Sequence, residues 1–391
     1  MLHIKDIAAF DNLRTPFYYY DMDLLRKTVE HVASISGKYG IKVHYAIKAN
    51  VCKPILETIS AAGFGADAVS GEEVVHAVEC GFPGSQVMFA GVGKSDREIL
   101  AALDCGVGCF NIESLQEIEV IAELAAKTGR IAPVAIRVNP NIDAHTHKYI
   151  TTGLNENKFG LLECDLPKAA ELIKSKPSLE FKGLQFHIGS QITEVESVFK
   201  LECERVNEIV ENFEKTGLKV RSIDLGGGLG IDYDDPDANP IADFETWMRV
   251  ISENLKVRDD QEVHVEPGRS IVAQCGSLIS RVLYVKTGVT KDFLILDAGM
   301  NDLIRPALYG AYHKIENLSA HYLRHEDEKD CAYDVVGPVC ESSDVWGEGR
   351  VLRESRRGDF VALRSAGAYG QVMASRYNLH EFAPAVYSDE L

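Results

Sequence analysis

The chain alternates short apolar runs with longer helix-like segments between residues 41 and 265. Eight runs are strand-like, at 41–47, 65–69, 86–90, 107–111, 133–138, 181–186, 220–225 and 262–265. Amphipathic or mixed segments lie between most of them, such as 72–80, 96–103, 115–128, 166–175, 193–216 and 244–255. Alternation of this kind indicates parallel strands joined by helical crossovers. Eight units match an α/β fold of the parallel (β/α)8 barrel type, although a doubly wound open sheet would alternate in the same way.

The pattern changes after about residue 269. Short β-rich runs at 277–286, 293–297, 333–336 and 360–363 are separated by turn residues, which indicates a second, antiparallel β domain. A strand-like segment at 15–20 precedes the barrel and is expected to pair with that domain. The 391 residues exceed what one core usually holds, so two domains are expected. We assign residues 22–270 to the barrel, and residues 1–21 and 271–391 to the β domain.

The charge balance argues against some classes of partner. Asp and Glu number 59 against 41 Lys and Arg, a formal net charge of −18, which disfavours non-specific binding to nucleic acid or anionic lipid. No stretch approaches the ~20 apolar residues of a membrane helix, and residues 1–10 lack the apolar core of a signal peptide. The nine cysteines are scattered without a C-x-x-C pair, which argues against a zinc site or a disulfide scaffold. We therefore expect a cytoplasmic protein that binds a small molecule.

Polar and glycine-rich residues follow the predicted strands at the points where the strands end. Lys48 follows the first strand and Asp67 lies near the end of the second. Later strands run into HIGS (187–190), GGG (226–228) and EPGR (266–269). The carboxyl ends of the strands of a parallel barrel meet at one rim, where barrel enzymes carry their chemistry. This convergence is more specific than any one of the motifs.

Lys48 comes directly after an apolar run that should be buried. Desolvation there would lower the pKa of its amine and favour a neutral nucleophile. A lysine that extends from a strand end into solvent is the more common arrangement, so the position alone does not decide between the two.

The glycine-rich stretch at 226–230 could bind phosphate through bare backbone N–H groups. It does not complete a dinucleotide fingerprint, because Ile231 stands where the third glycine belongs. A tight turn that needs positive φ is the alternative interpretation. Glu266 and Arg269 suit a pyridinium nitrogen and a phosphate or carboxylate, but a structural salt bridge explains their spacing equally well.

Further candidates are a histidine, a serine and groups of the second domain. His187 could lie against an aromatic cofactor and Ser190 could bond a phosphate oxygen, although a lone strand-end histidine is more often structural. Cys340 and Glu341 pair a thiol with an acid, which suits proton transfer, but a buried thiol beside a solvated turn is the commoner arrangement. Arg305 stands in NDLIRP (301–306) with Tyr309 a turn later, and Tyr369 stands in a glycine turn, where it could reach a phosphate.

Together these motifs resemble those of the diaminopimelate decarboxylases, which belong to the alanine-racemase-like (fold type III) class of pyridoxal-phosphate decarboxylases. The similarity spans nearly the whole chain and rests on HYAIKAN (44–50), HIGSQI (187–192), GGGLGI (226–231), EPGRSIVA (266–273), GMNDLIRPALYGAYH (299–313), CESSD (340–344) and GAYG (367–370). The first four motifs are typical of the wider decarboxylase class. The fifth, with Arg305 and Tyr309, indicates the diaminopimelate branch.

The resemblance implies a site for pyridoxal 5′-phosphate. Lys48 would hold the cofactor covalently as an imine, and Glu266 would pair with its ring nitrogen. The other cofactor-binding residues would be Asp67, His187, Ser190, Gly228, Pro267, Gly268, Arg269 and Tyr369. Cys340 would donate a proton after carbon dioxide leaves, and the substrate would be bound by Arg269, Arg305, Tyr309, Glu341 and Tyr369. Family members are head-to-tail homodimers, so Cys340 and Glu341 would reach into the active site of a partner subunit.

The implied reaction is decarboxylation of meso-2,6-diaminopimelate to L-lysine and carbon dioxide, the last step of lysine biosynthesis. The substrate retains one carboxylate, for which Arg305 would supply a buried cation, whereas an ornithine-like substrate retains none. The alternatives are a decarboxylase of another amino acid or of a carboxylated polyamine, and an amino acid racemase of the same fold. A cofactor-carrying protein without turnover is a further alternative, against which the long C-terminal part with Cys340 argues.

Overall fold

The computed structural model describes residues 4–142, 158–324 and 329–391. The chain divides into two compact units. The first contains residues 29–230 and 243–268, and the second contains residues 1–28, 231–242 and 269–391. The domain boundaries that we assigned from the sequence differ from this division chiefly at 231–242, which nothing in the sequence separates from the barrel.

Sixteen strands lie in the described residues: β1 (Phe17–Tyr20), β2 (Ile41–Ala46), β3 (Gly65–Ala68), β4 (Val87–Phe89), β5 (Cys109–Ile112), β6 (Ala132–Arg137), β7 (Leu179–Gln185), β8 (Ser222–Asp224), β9 (Glu262–Val265), β10 (Gly276–Thr287), β11 (Asp292–Leu296), β12 (Ile315–Asn317), β13 (Asp330–Val336), β14 (Val345–Arg353), β15 (Phe360–Leu363) and β16 (Ala385–Tyr387). The α-helices in the same parts of the chain are α1 (Ile4–Ala9), α2 (Met22–Tyr39), α3 (Lys53–Ala61), α4 (Gly71–Glu79), α5 (Asp96–Cys105), α6 (Leu115–Lys127), α7 (Leu166–Ser175), α8 (Val195–Glu214), α9 (Phe244–Asn254), α10 (Arg269–Val272) and α11 (Arg305–Tyr309). A π-helical turn spans Ser319–Leu323, and 3-10 turns span Phe10–Asn12, Ile47–Ala49, Gly84–Gln86, Glu163–Asp165, Gln371–Met373, Tyr377–Leu379 and Ser388–Glu390.

Strands β2 to β9 form a closed parallel barrel in chain order. Each predicted strand is present within a few residues of its expected bounds, so the (β/α)8 arrangement is confirmed and the open sheet is excluded. The barrel closes where β9 pairs with β2, with Ile41 opposite Val263. All four residues of β5 are buried, because barrel strands have helices outside and packed side chains inside.

Several barrel helices begin at side-chain caps that the sequence carries. Ser70, Ser95 and Ser114 each accept a hydrogen bond from the backbone N–H three residues further on, at the starts of α4, α5 and α6. Each such cap stabilises its helix by about 1 kcal/mol. These caps fix the points at which the chain leaves the barrel rim and turns into a helix.

The second unit contains a sheet in the order β12-β15-β10-β11-β13-β14, and β1 pairs with both β10 and β16. The antiparallel pairing of β1 with β10 confirms the expectation for segment 15–20. Most pairs in this sheet are antiparallel, as predicted for the second domain, but β11 pairs with β13 and β1 pairs with β16 in parallel, so the sheet is mixed. The chain passes through α11 and β12 between β11 and β13, and such a crossover brings two strands side by side in the same direction. No helix within the described ranges is long and apolar enough to cross a membrane.

Candidate active site

Lys48 lies in the 3-10 turn that directly follows β2. Its Nζ is 3.2 Å from Oδ2 of Asp67, whose side chain is only 1% exposed. The register explains this pairing, since Asp67 on β3 stands opposite Ala46 at the end of β2. Of the two arrangements that the sequence leaves open, the lysine that extends toward solvent is the one present, since the Lys48 side chain is 39% exposed. The amine emerges at the rim, where a buried carboxylate orients it and a reactant can still reach it.

Glu266 follows β9 and is buried. Gln185, at the end of β7, donates from Nε2 to Oε2 of Glu266 over 3.0 Å. The other carboxylate oxygen, Oε1, has no hydrogen-bond partner among the described residues. A buried polar atom without a partner costs about 1–3 kcal/mol. Oε1 is therefore suited to a donor from a bound molecule, such as a protonated ring nitrogen.

Three buried carboxyl groups interact at this rim. Burial raises the pKa of Glu266 well above its ordinary value, and Asp224 and Asp67 raise it further while Lys48 lowers it. Burial also raises the pKa of Asp224 to about 7. Both carboxyl groups therefore bind protons more readily than an exposed carboxyl does, and a cation beside them, such as a protonated heterocyclic nitrogen, would favour their charged forms.

The loops that follow β7 and β8 pack against each other. The backbone N–H of Ile192 donates to the carbonyl oxygen of Gly228 over 2.9 Å, and the N–H of Gly227 donates to Nδ1 of His187 over 3.2 Å. A Cβ at Gly227 would lie 2.3 Å from the backbone oxygen of Glu266, and the φ of Gly228 is +119°. The tight turn is thus present. Because its glycines carry no side chains, a phosphate could approach the backbone of this loop closely.

His187 and Ser190 stand on the loop after β7. Because Nδ1 of His187 accepts a hydrogen bond, its ring proton belongs on Nε2. Burial, Arg137 and Lys48 hold the pKa of His187 well below its ordinary value, so the imidazole is neutral. A neutral ring that is fixed at Nδ1 suits packing against a flat cofactor.

The turn formed by Pro267 and Gly268 packs on the segment that carries Lys48. The Pro267 carbonyl accepts the N–H of Ala46 over 3.1 Å, and a Cβ at Gly268 would lie 3.0 Å from Cβ of Ala46. The barrel unit thus brings together the predicted residues Lys48, Asp67, His187, Ser190, Gly228, Glu266, Pro267 and Gly268 at the ends of β2, β3, β7, β8 and β9.

A second cluster belongs to the other unit and surrounds Tyr233. Arg269 donates from NH1 to the Tyr233 hydroxyl over 2.7 Å, and its guanidinium lies 5.0 Å from the ring centre of Tyr369. The guanidinium of Arg305 lies 5.1 Å from the ring centre of Tyr233. Arg269, Arg305 and Tyr369, which were predicted as separate candidates, therefore form one group around Tyr233. Tyr309 follows one helical turn after Arg305 on α11.

Arg305 is 6% exposed and donates from NH1 to Nε2 of His313 over 2.8 Å. Among the described residues, no carboxylate forms an ion pair with Arg305. A buried cation without a counter-ion is unfavourable, because it has lost its hydration without gaining an opposite charge. The Arg305 guanidinium is therefore suited to an anionic ligand.

Cys340 and Glu341 lie in the turn between β13 and β14, and both are exposed. The backbone N–H of Cys340 donates to Oδ1 of Asn378 over 2.9 Å, and the hydroxyl of Tyr377 donates to Glu341 over 3.4 Å. The interpretation of Cys340 as a buried thiol is therefore wrong. Both side chains stand on the surface of their unit, next to the C-terminal segment.

Comparison with known proteins decides the family. Residues 25–273 match the family model described as pyridoxal-dependent decarboxylase, pyridoxal binding domain. A diaminopimelate decarboxylase of Bacteroides thetaiotaomicron is 50% identical over the full length of both chains. The chain belongs to the pyridoxal-dependent decarboxylases, in their diaminopimelate decarboxylase branch.

Further relatives agree with this assignment. A diaminopimelate decarboxylase of Neisseria meningitidis serogroup B is 40% identical, over 96% of this chain and 88% of its own. The crystal structure of the Helicobacter pylori diaminopimelate decarboxylase complexed with L-lysine matches with a TM-score of 0.89 at 37% identity, over 97% of this chain and 94% of that one. The predicted family, carboxy-lyase class and pyridoxal phosphate cofactor are confirmed.

Four residues that support the site were not predicted from the sequence: Gln185, Asp224, Tyr233 and His313. Asp224 lies two residues before the glycine run, and His313 is the last residue of the motif that contains Arg305. Their positions were visible in the sequence, but their contacts depend on strand register and on a segment, 231–242, that leaves the barrel unit.

Proposed function

We propose that the protein decarboxylates meso-2,6-diaminopimelate to L-lysine and carbon dioxide. The observation that carries this proposal is the buried guanidinium of Arg305, which has no carboxylate partner among the described residues. An α-amino acid that loses its only carboxylate would leave this cation without a partner in the product. A substrate that keeps a second carboxylate gives the cation a partner throughout the reaction.

The buried groups of the barrel rim fit pyridoxal phosphate. Lys48 would bind its aldehyde carbon, Glu266 would hold its ring nitrogen through the oxygen that lacks a partner, and His187 would lie against the ring. Ser190 and the Gly228 loop, with Arg269 and Tyr369, would hold the phosphate. The bound cofactor supplies an electron sink for the charge that is left on Cα when carbon dioxide departs.

The residues of the chain then have distinct tasks. Asp67 would orient the amine of Lys48, and the carboxylate of Glu266 would keep the ring nitrogen protonated by accepting its N–H at Oε1. Arg305, with Arg269 and Tyr309, would bind the carboxylate that the substrate retains, through charge-assisted hydrogen bonds. Tyr369 would contact the substrate beside them.

The proton for Cα would come from a second copy of the chain. The thiol of Cys340 would donate it, and Glu341 would bind the distal ammonium group of the substrate. Both residues are exposed, and the adjoining segment presents Leu379 at 91% and Phe382 at 53% exposure. Leu379 also has a φ of +61°, an unfavourable backbone conformation for a branched side chain. A homodimer would cover this apolar segment and place Cys340 and Glu341 in the partner's site.

Mixing two inactive variants tests the shared site. Lys48→Ala and Cys340→Ala subunits are unfolded and refolded together, and turnover is compared with that of each variant alone. If each site draws Lys48 from one subunit and Cys340 from the other, the mixture should recover about a quarter of wild-type activity, since half of the dimers are mixed and each has one intact site. No recovery would show that the two residues act within one subunit.

The reaction itself is tested with purified protein, pyridoxal phosphate and meso-diaminopimelate, with lysine and carbon dioxide measured together. Equal amounts of both products are expected. Release of a polyamine from a carboxylated polyamine, or of a diamine from ornithine or lysine, at a higher kcat/KM would favour the related decarboxylases. Interconversion of stereoisomers without carbon dioxide would favour a racemase.

We also place the protein in the cytoplasm, since all nine cysteines are free thiols, as a reducing compartment maintains them.

A further inference from the structure

His313 lies between the Arg305 guanidinium and the backbone of Arg364. It is 2% exposed, its Nε2 is 2.8 Å from NH1 of Arg305, and its Nδ1 is 2.9 Å from the carbonyl oxygen of Arg364. A guanidinium only donates hydrogen bonds and a carbonyl only accepts them. The imidazole must therefore accept at Nε2 and donate from Nδ1, so the two partners specify one neutral tautomer.

The surroundings preserve that state. Burial and the charge of Arg305 lower the pKa of His313 to about 3, so the ring stays neutral at physiological pH. The ring of Tyr233 packs edge-on against His313 with centres 5.2 Å apart. Arg364, which supplies the carbonyl, forms an ion pair with Asp237 at 2.9 Å and another with Glu316. The carbonyl oxygen that binds His313 thus belongs to a residue that is itself held by two ion pairs, so Nε2 of His313, the acceptor for Arg305, is fixed in place.

We propose that His313 is a positioning residue for substrate selectivity, which orients the Arg305 guanidinium toward the carboxylate that the substrate retains. The inference rests on the proposed function, in which Arg305 binds that carboxylate. A guanidinium that is held at one edge can present the other edge to a carboxylate in a bidentate pair. Without His313, the long arginine side chain would have to be ordered by the ligand, which weakens binding by about tenfold.

The test compares two ligands of the holoenzyme, L-lysine and pentane-1,5-diamine, which differ by one carboxylate. Dissociation constants are measured from ligand-induced changes in the visible spectrum for wild type and His313→Leu. We expect lysine to bind about tenfold more weakly to the variant and the diamine to bind with unchanged affinity. His313→Gln, which restores an acceptor oxygen, should recover much of the lysine affinity. The exposed His321 provides a matched control, His321→Leu, that should leave both constants unchanged.

A double-mutant cycle with Arg305→Ala separates this inference from the proposed function. If His313 acts through Arg305, adding His313→Leu to Arg305→Ala should weaken lysine binding no further. An additive loss, or an equal loss of lysine and diamine, would overturn the positioning role. Unchanged lysine affinity in Arg305→Ala would instead overturn the proposed role of Arg305 and the inference with it. If His313→Leu fails to fold, His313→Phe keeps a ring against Tyr233 and serves in the same comparison.

Discussion

The barrel rim and the Tyr233 cluster bury charges of opposite sign. At the rim, the carboxyl groups of Asp67, Asp224 and Glu266 share a small volume with the amine of Lys48. In the cluster, the guanidiniums of Arg269 and Arg305 lie against the Tyr233 ring. The rim thus carries buried acid groups suited to a protonated nitrogen, whereas the cluster carries buried cations suited to an anion.

We propose that the two units have separate parts in the reaction. Carboxyl groups beside the ring nitrogen and the reactive amine serve any decarboxylase of this cofactor class, because they act on the cofactor rather than on a particular substrate. Buried arginines serve only substrates that bring a carboxylate or phosphate. Changes at the rim should therefore abolish chemistry for every substrate, and changes at Arg305 should mainly alter which substrate is accepted.

The largest effect is expected from Lys48→Ala. Loss of the amine removes the covalent link to the cofactor, so the visible absorbance of the loaded protein should disappear and kcat should fall by more than about a thousandfold. Absorbance spectra and product formation measure the two effects. Lys53→Ala, at an exposed lysine five residues along the chain, is the matched control. A variant at Lys48 that keeps the band and the rate would remove the rim from the mechanism.

Glu266→Gln should keep the cofactor bound but slow turnover by on the order of a hundredfold, because an amide cannot keep the ring nitrogen protonated. The effect should appear in kcat, with little change in the affinity for lysine, since the carboxylate-binding residues are untouched. Steady-state kinetics and lysine titrations separate the two quantities. Glu262→Gln, at an exposed position on the strand that precedes Glu266, controls for the loss of a negative charge. A rate equal to wild type would contradict the role of the buried acids.

Arg305→Met should raise KM for diaminopimelate by about 10- to 100-fold with a smaller change in kcat, since a hydrogen bond to a charged group contributes about 1.5–3 kcal/mol. The exposed Arg14, in the same unit, provides the control Arg14→Met. An effect on kcat alone would show that the Tyr233 cluster takes part in the chemistry and would end the division between the two units.

The smallest effect concerns stability rather than turnover. His44 on β2 and His264 on β9 are hydrogen-bonded where the barrel closes, with Nε2 of His44 2.9 Å from Nδ1 of His264. Burial lowers the pKa of His44 to about 4 and that of His264 to about 3. The unfolded chain therefore takes up these protons below pH 6.5 while the folded chain does not, so stability falls as pH drops toward 4.

Urea unfolding between pH 7 and pH 5 measures this loss, which is at most about 1.4 kcal/mol per pH unit for each histidine. His264→Leu should flatten the dependence, and the exposed His31→Gln should not. An equally steep dependence in His264→Leu would assign the acid sensitivity to other groups, such as the carboxyls of the rim.

The sequence predicted the barrel and the rim well, because both follow from local patterns. The apolar runs show where each barrel strand ends, and the residues that follow the carboxyl end of a strand lie at the rim. The positions of Lys48, Glu266 and the glycine run could therefore be predicted without knowledge of distant contacts. The mixed sheet of the second unit was less predictable, because the parallel pairing of β11 with β13 depends on a long crossover.

The Tyr233 cluster shows the limit of this reasoning. Tyr233 follows the barrel's glycine loop in the chain, yet it contacts Arg269 and lies beside Arg305 and His313 in the other unit. Neither the hydrophobic periodicity nor the spacing of the motifs indicates that residues 231–242 leave the barrel unit. The exposure of Lys48 could not be decided from the sequence either, because burial of the preceding strand does not extend to the turn that follows it.

We propose that the barrel rim holds the cofactor through the amine of Lys48, beside Asp67 and Glu266, and the roles of the other residues depend on this attachment. Borohydride reduction of the loaded protein, followed by proteolysis and mass spectrometry, locates it. A single pyridoxyl-modified peptide that contains residue 48 is expected. A modified lysine elsewhere, or none at all, would contradict it.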